Sequence, residues 1–212
     1  RYCKKPISFQ YPLVELATGF LFLFIFQSTN LWLHDSIILS FLNLCLLSLV
    51  SCLLIIIFVY DLKHYIIPDR VIYPAIVIAF LYQLFRILNL GFVSDLGFRI
   101  SDFMILLNPL LSAILALSFF LSIVLISRGR WMGVGDIKLA FFMGLFLGFP
   151  NILVALFSAF FIGAIIGLIL IAAGLKTLKS EIPFGPFLIT GTFLALFWGE
   201  RLINFYQNLF FF

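Results

Sequence analysis

Charged side chains are scarce in this chain of 212 residues, and their scarcity excludes most soluble folds. Only 10% of the residues are Asp, Glu, Lys or Arg, whereas 64% are hydrophobic and Phe alone occurs 29 times. A soluble domain carries about 25% charged residues. The composition therefore predicts a membrane protein, with the lipid bilayer as its first partner.

Cysteine, histidine and flexible linkers are also rare. The chain has three cysteines and two histidines. Cys45 and Cys52 share one apolar run, where they are expected to act as small packing side chains rather than as part of a disulfide framework. His64 is a single histidine in a predicted loop, and His34 is expected to be solvated in an outer loop. The sequence therefore predicts no metal site and no division by a Ser-, Gly- or Pro-rich linker.

The net charge of +4 does not predict nucleic-acid binding, because the basic residues lie between apolar runs rather than in one patch. If the N-terminus is cytoplasmic, ten of the 13 Lys and Arg residues fall on the cytoplasmic side and three, Arg86, Arg99 and Arg201, fall on the other. This bias agrees with the positive-inside rule. The sequence therefore predicts a cytoplasmic N-terminus.

Seven apolar stretches are long enough to be helices. Membrane spans must satisfy their backbone polar groups internally, and the stretches lack the alternation of barrel strands. We therefore predict an all-α, polytopic membrane protein with about seven transmembrane helices. The fifth stretch is short for a span of roughly 20 residues, and we expect a short tilted helix beside a polar cavity. The stretches are 12–28, 37–60, 71–88, 103–126, 137–149, 152–175 and 186–198.

Two aspartates bracket the segment "DLKHYIIPD" between the second and third stretches. Asp61 ends the second stretch, and Pro68 restricts the preceding residue to extended geometry, so the helix is expected to break before it. Asp69 is placed to cap the third helix. A simpler role for Asp61 is an interfacial carboxylate paired with Lys63 or Arg70.

A third aspartate opens the fifth stretch in "GVGDIKLA". Gly133 and Gly135 are expected to allow backbone geometries closed to other residues, or close approach of another helix. Asp136 would then be the N-cap of the fifth helix. Lys138 is expected either to hold a nearby carboxylate or to extend its amine to the interface. Alone, this pattern also fits a plain helix cap.

Asp61 and Asp136 are predicted to lie at the same depth on the same side of the membrane. Two neighbouring carboxyls do not easily both ionise, so one keeps a proton. That arrangement can activate a water for attack on a peptide carbonyl. Because Asp136 lies at a helix N-terminus, we expect it to be the more acidic member. A proton-coupled transporter could use the same carboxylates, but it should show inverted repeats and helices broken at the midplane.

Four segments, in this order along the chain, together resemble type IV prepilin peptidases, which are GxGD-type membrane aspartic proteases. They are "ISFQYPLVEL" (7–16), "DLKHYIIPD" (61–69), "GVGDIKLA" (133–140) and "IPFGPFLITG" (182–191). The resemblance implies that Asp61 and Asp136 are the catalytic pair and that Asp69 is secondary. Glu15 is expected to line the substrate path or to bond a neighbouring helix. Further supporting residues are Lys138, Gly133, Gly135, Pro183 and Gly185, the last two in a turn that breaks the chain near the site.

The resemblance also implies the substrates and the location. These are prepilins or pseudopilins of type IV pili, type II secretion or competence systems, cut after the Gly that ends a basic leader. Cleavage would occur at the cytoplasmic face of the bacterial inner membrane and would need no cofactor. A GxGD protease with another substrate is the rival within enzymes.

Many members of this family also N-methylate the new terminus with S-adenosylmethionine, and their N-terminal loop often binds zinc through cysteine pairs. Cys3 resembles the last cysteine of such a motif, but one thiol cannot form a four-ligand site. We expect the natural protein to extend beyond Arg1. Residues 1–11 would be a remnant of the cytoplasmic loop and residues 12–212 the transmembrane peptidase domain. Zinc, S-adenosylmethionine and methylation are expected only with the preceding segment.

Overall fold

The chain folds into helices throughout the part that the computed structural model describes, namely residues 10–28, 37–93, 100–129, 132–177, 180 and 182–210. These residues contain no strand, so the predicted all-α class is confirmed. The helices are α1 Gln10–Ser28, α2 Ile37–His64, α3 Asp69–Val93, α4 Ile100–Ser127, α5 Val134–Leu147, α6 Asn151–Ala172 and α7 Gly185–Phe210.

Five of these helices, α1, α2, α4, α6 and α7, are long and apolar enough to cross a membrane. α3 and α5 are not among them. α5 has 14 residues, which at 1.5 Å per residue gives a helix of about 21 Å, shorter than a hydrocarbon core of about 30 Å. The described residues thus support a multi-pass membrane protein, while a count of seven spans stays a prediction.

The chain divides into two compact units, Arg1–Ile55 and Ile56–Phe212, and the division falls within α2. The first unit holds α1 and most of α2. Within it Glu15 is an exposed residue of α1. The second unit holds the end of α2 and helices α3 to α7.

The short helix α5 lies at the centre of the second unit, in contact with α3, α4, α6 and α7. Leu139, Ala140, Phe142 and Met143 are all 0% exposed. A helix that is apolar on every side is stable only when neighbours surround it, as they do here. Because α5 is enclosed, Asp136 in its first turn has a fixed position relative to the core.

Small residues bring the helices of this unit into close contact. A Cβ at Gly144 of α5 would lie 2.5 Å from Cα of Ala113 in α4. A Cβ at Gly191 of α7 would likewise collide with the carbonyl oxygen of Ala155 in α6. Where lipid replaces water, such close backbone packing provides much of the attraction between helices.

The C-terminal end of α5 is closed by polar side chains from other helices. The amide of Gln83, in α3, donates hydrogen bonds of 2.9 Å to the carbonyls of both Leu145 and Phe146. Gly148 then reverses the chain with a φ of 69°. The last carbonyls of a helix need partners, and few waters are available at membrane depth. Gln83 supplies those partners.

The end of α7 differs from its prediction. The apolar stretch was expected to end at Trp198, but α7 continues to Phe210. Gly199, Glu200 and Arg201 lower the local hydropathy, which marks the edge of an apolar run without ending the helix.

Candidate active site

Asp61 lies in the last turn of α2 and is 4% exposed. The helix ends at His64 because Tyr65 takes a left-handed conformation, with φ of 59°, and its N–H donates to the Asp61 carbonyl at 2.8 Å. The chain leaves the helix before Pro68, which confirms the predicted break. The carboxylate of Asp61 is thereby held at the point where the backbone turns toward α3.

Asp136 lies in the first turn of α5 but not at the predicted position. Its N–H donates to the Gly133 carbonyl, and its Oδ2 accepts the Gly133 N–H, both at 3.2 Å. Gly133 is thus the N-cap and Asp136 the third residue of the helix, so the N-cap prediction is wrong. A carboxylate at this third position reaches back to the cap amide, as in half of a capping box.

The two glycines before Asp136 have different roles from those expected. Gly133 is extended, with φ of −80° and ψ of 157°, which any residue can adopt. A Cβ added to it would meet nothing closer than 3.8 Å. Gly135 is helical, and its Cβ would lie 3.0 Å from Cβ of Ile67. The prediction of glycine-only geometry is wrong for both, and the close approach at Gly135 involves a turn rather than a helix.

Gly185, the first residue of α7, contacts Asp61 directly. Its backbone N–H donates to the Asp61 carboxylate, and a Cβ at this position would collide with Oδ2. The first amides of a helix have no partner within the helix and therefore suit a negative charge. Each aspartate thus accepts one backbone N–H from a glycine at a helix start.

Ile67 links these two helix starts, although nothing in the sequence identified it. It is 6% exposed, and its side chain packs on both Gly135 and Gly185, with its Cδ1 at 3.5 Å from a Cβ built at either position. Its role depends on contacts between segments more than 60 residues apart. The one local sign of this role is an apolar residue, Ile67, in the turn between α2 and α3.

One cavity of about 440 Å³ contains both carboxylates. Asp61 and Asp136 are 75 positions apart in the sequence and come from different helices, yet they line the same space. Of the other predicted residues, the cavity includes Gly133, Gly135, Asp69 and Lys138. Residues that the sequence did not identify also line it: Tyr60, Tyr65, Ile66, Ile67, Pro68 and Val134.

The surroundings of Asp136 raise its pKa to about 7. Burial is the largest cause, the negative charge of Asp61 adds to it, and the N–H of Gly133 opposes both. A shift from 3.8 to about 7 corresponds to about 4 kcal/mol, whereas a helix start contributes about 1 kcal/mol or less. Burial and the like charge therefore outweigh the helix end, which was the ground for expecting Asp136 to be the more acidic member.

Lys138 joins the starts of α3 and α5 at the edge of the cavity. Its Nζ lies 2.5 Å from Oδ1 of Asp69 and 5.1 Å from the ring centre of Tyr73. Asp69 is the first residue of α3, and Pro68 holds the cap position because its carbonyl accepts the Ile72 N–H at 3.1 Å. Asp69 therefore contacts the lysine of another helix instead of capping its own.

The remaining predicted residues are Pro183, Glu15 and Cys3. Pro183 lines a different cavity. Glu15 belongs to the first unit. Cys3 falls outside the described residues, so a zinc ligand there stays untested. Within the described ranges, no group of three His, Cys, Asp or Glu side chains is arranged as metal ligands.

A larger cavity, of about 680 Å³, lies at the opposite ends of the same helices. Gln83 closes α5 there, and Asn108 both donates to and accepts from the backbone of Phe149, at 3.0 and 2.7 Å. Glu200 is the single acidic residue of its lining. Gln83 and Asn108 stabilise the backbone at this end, so size alone does not identify the chemical site.

Two family models match parts of this chain. Residues 48–168, more than half of the chain, match the model of the type IV leader peptidase family, and residues 1–29 match that of the bacterial peptidase A24 N-terminal domain. Asp61 and Asp136 both lie within the first match. No solved structure matches the chain significantly.

Several curated proteins are similar along nearly the whole chain, and all three described here are prepilin leader peptidase/N-methyltransferases. The protein from Legionella pneumophila is 31% identical over 96% of this chain, and the one from Aeromonas hydrophila is 29% identical over 99%. The protein from Bacillus subtilis is 29% identical over 98%. The chain spans 64%, 66% and 73% of the length of these relatives.

Proposed function

This chain belongs to the type IV leader peptidase family, and from that premise we propose that it is an aspartic endopeptidase that removes the leader peptide of prepilins or pseudopilins. The observation that carries the proposal is the shared cavity of Asp61 and Asp136. Each carboxylate also accepts a backbone N–H from a helix start. Positioned donors of this kind fix the orientation of reacting groups before the substrate arrives.

Below about pH 7 the pair carries one proton. Asp136, with its pKa raised to about 7, holds that proton, and Asp61, which accepts the Gly185 N–H, carries the negative charge. Asp61 takes a proton from a water held between the carboxylates as the water oxygen attacks the scissile carbonyl carbon. Asp136 gives its proton to the carbonyl oxygen at the same time, and a tetrahedral diol results.

Collapse of the diol restores the site. The carbon–nitrogen bond breaks as Asp61 passes its new proton to the departing nitrogen. One diol hydroxyl returns a proton to Asp136, so the products are a carboxylic acid and an amine, and both aspartates regain their first protonation states. This sequence uses one water and no metal or cofactor.

The site is proposed to face the cytoplasm from the bacterial inner membrane. Lys63, Arg70, Arg128 and Lys138 all lie at the same ends of the helices as Asp61 and Asp136, and such basic residues are typical of cytoplasmic loops. A leader peptide with basic residues would reach the carboxylates from that side.

N-methylation is proposed only for a protein that carries further sequence before Arg1. The relatives named for both activities are longer than this chain, which spans 64% and 66% of the two described first. Zinc and S-adenosylmethionine belong to that second step in this proposal. The chain alone is proposed to carry the peptidase step.

The experiment that tests the proposal incubates the purified chain in detergent with a prepilin that bears its leader. A shortened product with a new N-terminus is expected from the wild type. Asp61→Asn and Asp136→Asn should each abolish the product, whereas Glu200→Gln, an exposed carboxylate in the other cavity, should leave it unchanged. Cleavage by either aspartate variant would contradict the two-aspartate mechanism.

Two assays separate this proposal from its rivals, a protease with another substrate and a proton-coupled transporter. The first uses a substrate without its leader, and the second measures proton flux. Cleavage of leader-less proteins at similar rates would favour a protease with other substrates. A proton-coupled transporter would instead move protons across liposomes in an Asp61-dependent manner without any cleavage.

A further inference from the structure

An apolar groove of about 340 Å³ adjoins the aspartate cavity within the second unit. One wall is a stripe of α6, formed by Ile162, Ile166 and Leu170. These residues follow one another at intervals of four, so they share one face and extend over about 12 Å. The other walls are the last turns of α2 and the first turns of α7.

The lining of this groove is suited to aliphatic or aromatic side chains. Phe58 and Leu62 face it from α2, and Phe187 faces it from α7. Thr190 is a polar residue of the lining, but its hydroxyl donates to the Phe187 carbonyl at 2.8 Å and is thereby satisfied. Lys176 and Tyr65 also line the groove, whereas its other residues are apolar, so most of its surface suits an apolar ligand.

The groove is continuous with the site of chemistry. Tyr65 lines both the groove and the aspartate cavity. Leu62, on the groove side, directly follows Asp61, and Pro186, also on the groove side, directly follows Gly185, which donates to Asp61. A peptide that leaves the carboxylates in this direction therefore meets apolar surface within one residue of Asp61.

We propose that this groove, bounded by α2, α6 and α7, binds the apolar stretch of the peptide substrate that flanks the scissile bond, with Tyr65 separating that stretch from the bond itself. The assignment rests on the proposed peptidase function. The volume is at the low end of the range of about 300–1,000 Å³ for ligand sites. It accommodates a few side chains along one face of a substrate helix, so the groove recognises apolar character rather than a particular sequence.

The first test is site-specific photo-crosslinking on α6. A benzoylphenylalanine is placed at Ile166 in the groove, or at Leu168, which is 67% exposed on another face of the same helix. Asp136→Asn in both proteins keeps the substrate uncleaved. Crosslinks to a leader-bearing prepilin are expected from position 166 and not from position 168. Equal yields at the two positions, or a lipid adduct at 166 that the substrate does not displace, would overturn the proposal.

The second test fills the groove. Ile166→Trp should raise KM for the prepilin about tenfold or more with kcat nearly unchanged, because a hydrophobic contact of this size changes discrimination by about 10–200-fold. A short peptide that keeps the cleavage site but lacks the apolar stretch should be cleaved equally by variant and wild type. Leu168→Trp is the matched control and should change neither constant.

The outcomes distinguish this proposal from the one on which it rests. If the wild type cleaves the prepilin while Ile166→Trp leaves KM unchanged, the groove assignment is wrong and the peptidase function stands. If the wild type cleaves neither the prepilin nor the short peptide, the peptidase function itself fails. A melting temperature of Ile166→Trp close to that of Leu168→Trp shows that the variant is folded.

Discussion

Gly185 lies so close to the carboxylate of Asp61 that no Cβ can be added without displacing Oδ2. The same residue donates its N–H to that carboxylate and begins α7. The position of Asp61 is therefore set by the start of a helix more than 120 residues further along the chain. That relationship, rather than the geometry of α2 alone, determines where the carboxylate points.

Gly185→Ala should lower kcat about 100-fold or more, because the added methyl group pushes Oδ2 out of its position and small displacements of reacting groups can have effects of that size. The assay is prepilin cleavage in detergent. Gly167→Ala is the matched control, since a Cβ at Gly167 of α6 meets nothing within 4 Å. An active Gly185→Ala enzyme would show that Asp61 need not hold its observed position.

The activity should fall on the alkaline side with an apparent pKa near 7. Asp136 must be protonated to act as the acid, and its pKa is raised to about 7 by burial and by the charge of Asp61. Measuring kcat/KM from pH 5 to pH 9 tests this, since that ratio reports the free enzyme. A profile that stays flat through pH 8 would contradict the assignment of Asp136 as the acid.

The same raised pKa predicts that stability falls as the pH rises from about 4 to about 7. In that window the unfolded chain releases the Asp136 proton and the folded chain keeps it, so ionisation favours unfolding. Asp136→Asn should therefore increase the free energy of unfolding at pH 8, by up to about 4 kcal/mol, and change it little at pH 4. Thermal melting at both pH values measures the difference.

The ion pair of Lys138 and Asp69 should contribute more to activity than to stability. Asp69 is 59% exposed and Lys138 is 26% exposed, and such pairs stabilise proteins by about 0–1 kcal/mol. Lys138→Met and Asp69→Asn should each lower kcat by a similar factor, and the double variant should lower it no further, because both break one contact between α3 and α5. Additive losses in this double-mutant cycle would show that the two side chains act separately.

Two glycines in helices should respond oppositely to alanine. Gly144→Ala should lower the melting temperature, since its Cβ would lie 2.5 Å from Cα of Ala113 and would force α4 and α5 apart. Gly167→Ala should raise it slightly, because the position is open and alanine is the better helix former by about 1 kcal/mol. Melting curves of the two variants in the same detergent give the comparison.

The sequence predicted the helices because each is a continuous apolar run, and it pointed to Asp61 and Asp136 because carboxylates at membrane depth are rare. Their shared cavity agrees with that interpretation. Local pattern could not predict that Gly133 is the cap, because an Asp at the N-cap and an Asp at the third position of a helix look alike in a sequence. Nor could it predict the raised pKa of Asp136, which depends on how deeply α5 is enclosed.

Other features depended on contacts between distant segments. The effect of Gly185 on Asp61 requires the end of α2 to meet the start of α7. The groove along α6 forms only where that helix faces Phe58 and Phe187. The sequence did not predict that α7 continues past Glu200. Hydropathy indicates whether a segment prefers lipid or water, and a helix can continue from one into the other.

Ile67 has no ionisable group, yet its side chain packs on Gly135 and Gly185, which lie in the first turns of α5 and α7. The side chains at positions 67, 135 and 185 therefore share one limited space. A larger side chain at one of these positions requires a smaller one at another. Across related proteins we expect these three positions to vary together or not at all. The spacing of the carboxylates thus depends on a hydrophobic contact made by a residue that has no ionisable group.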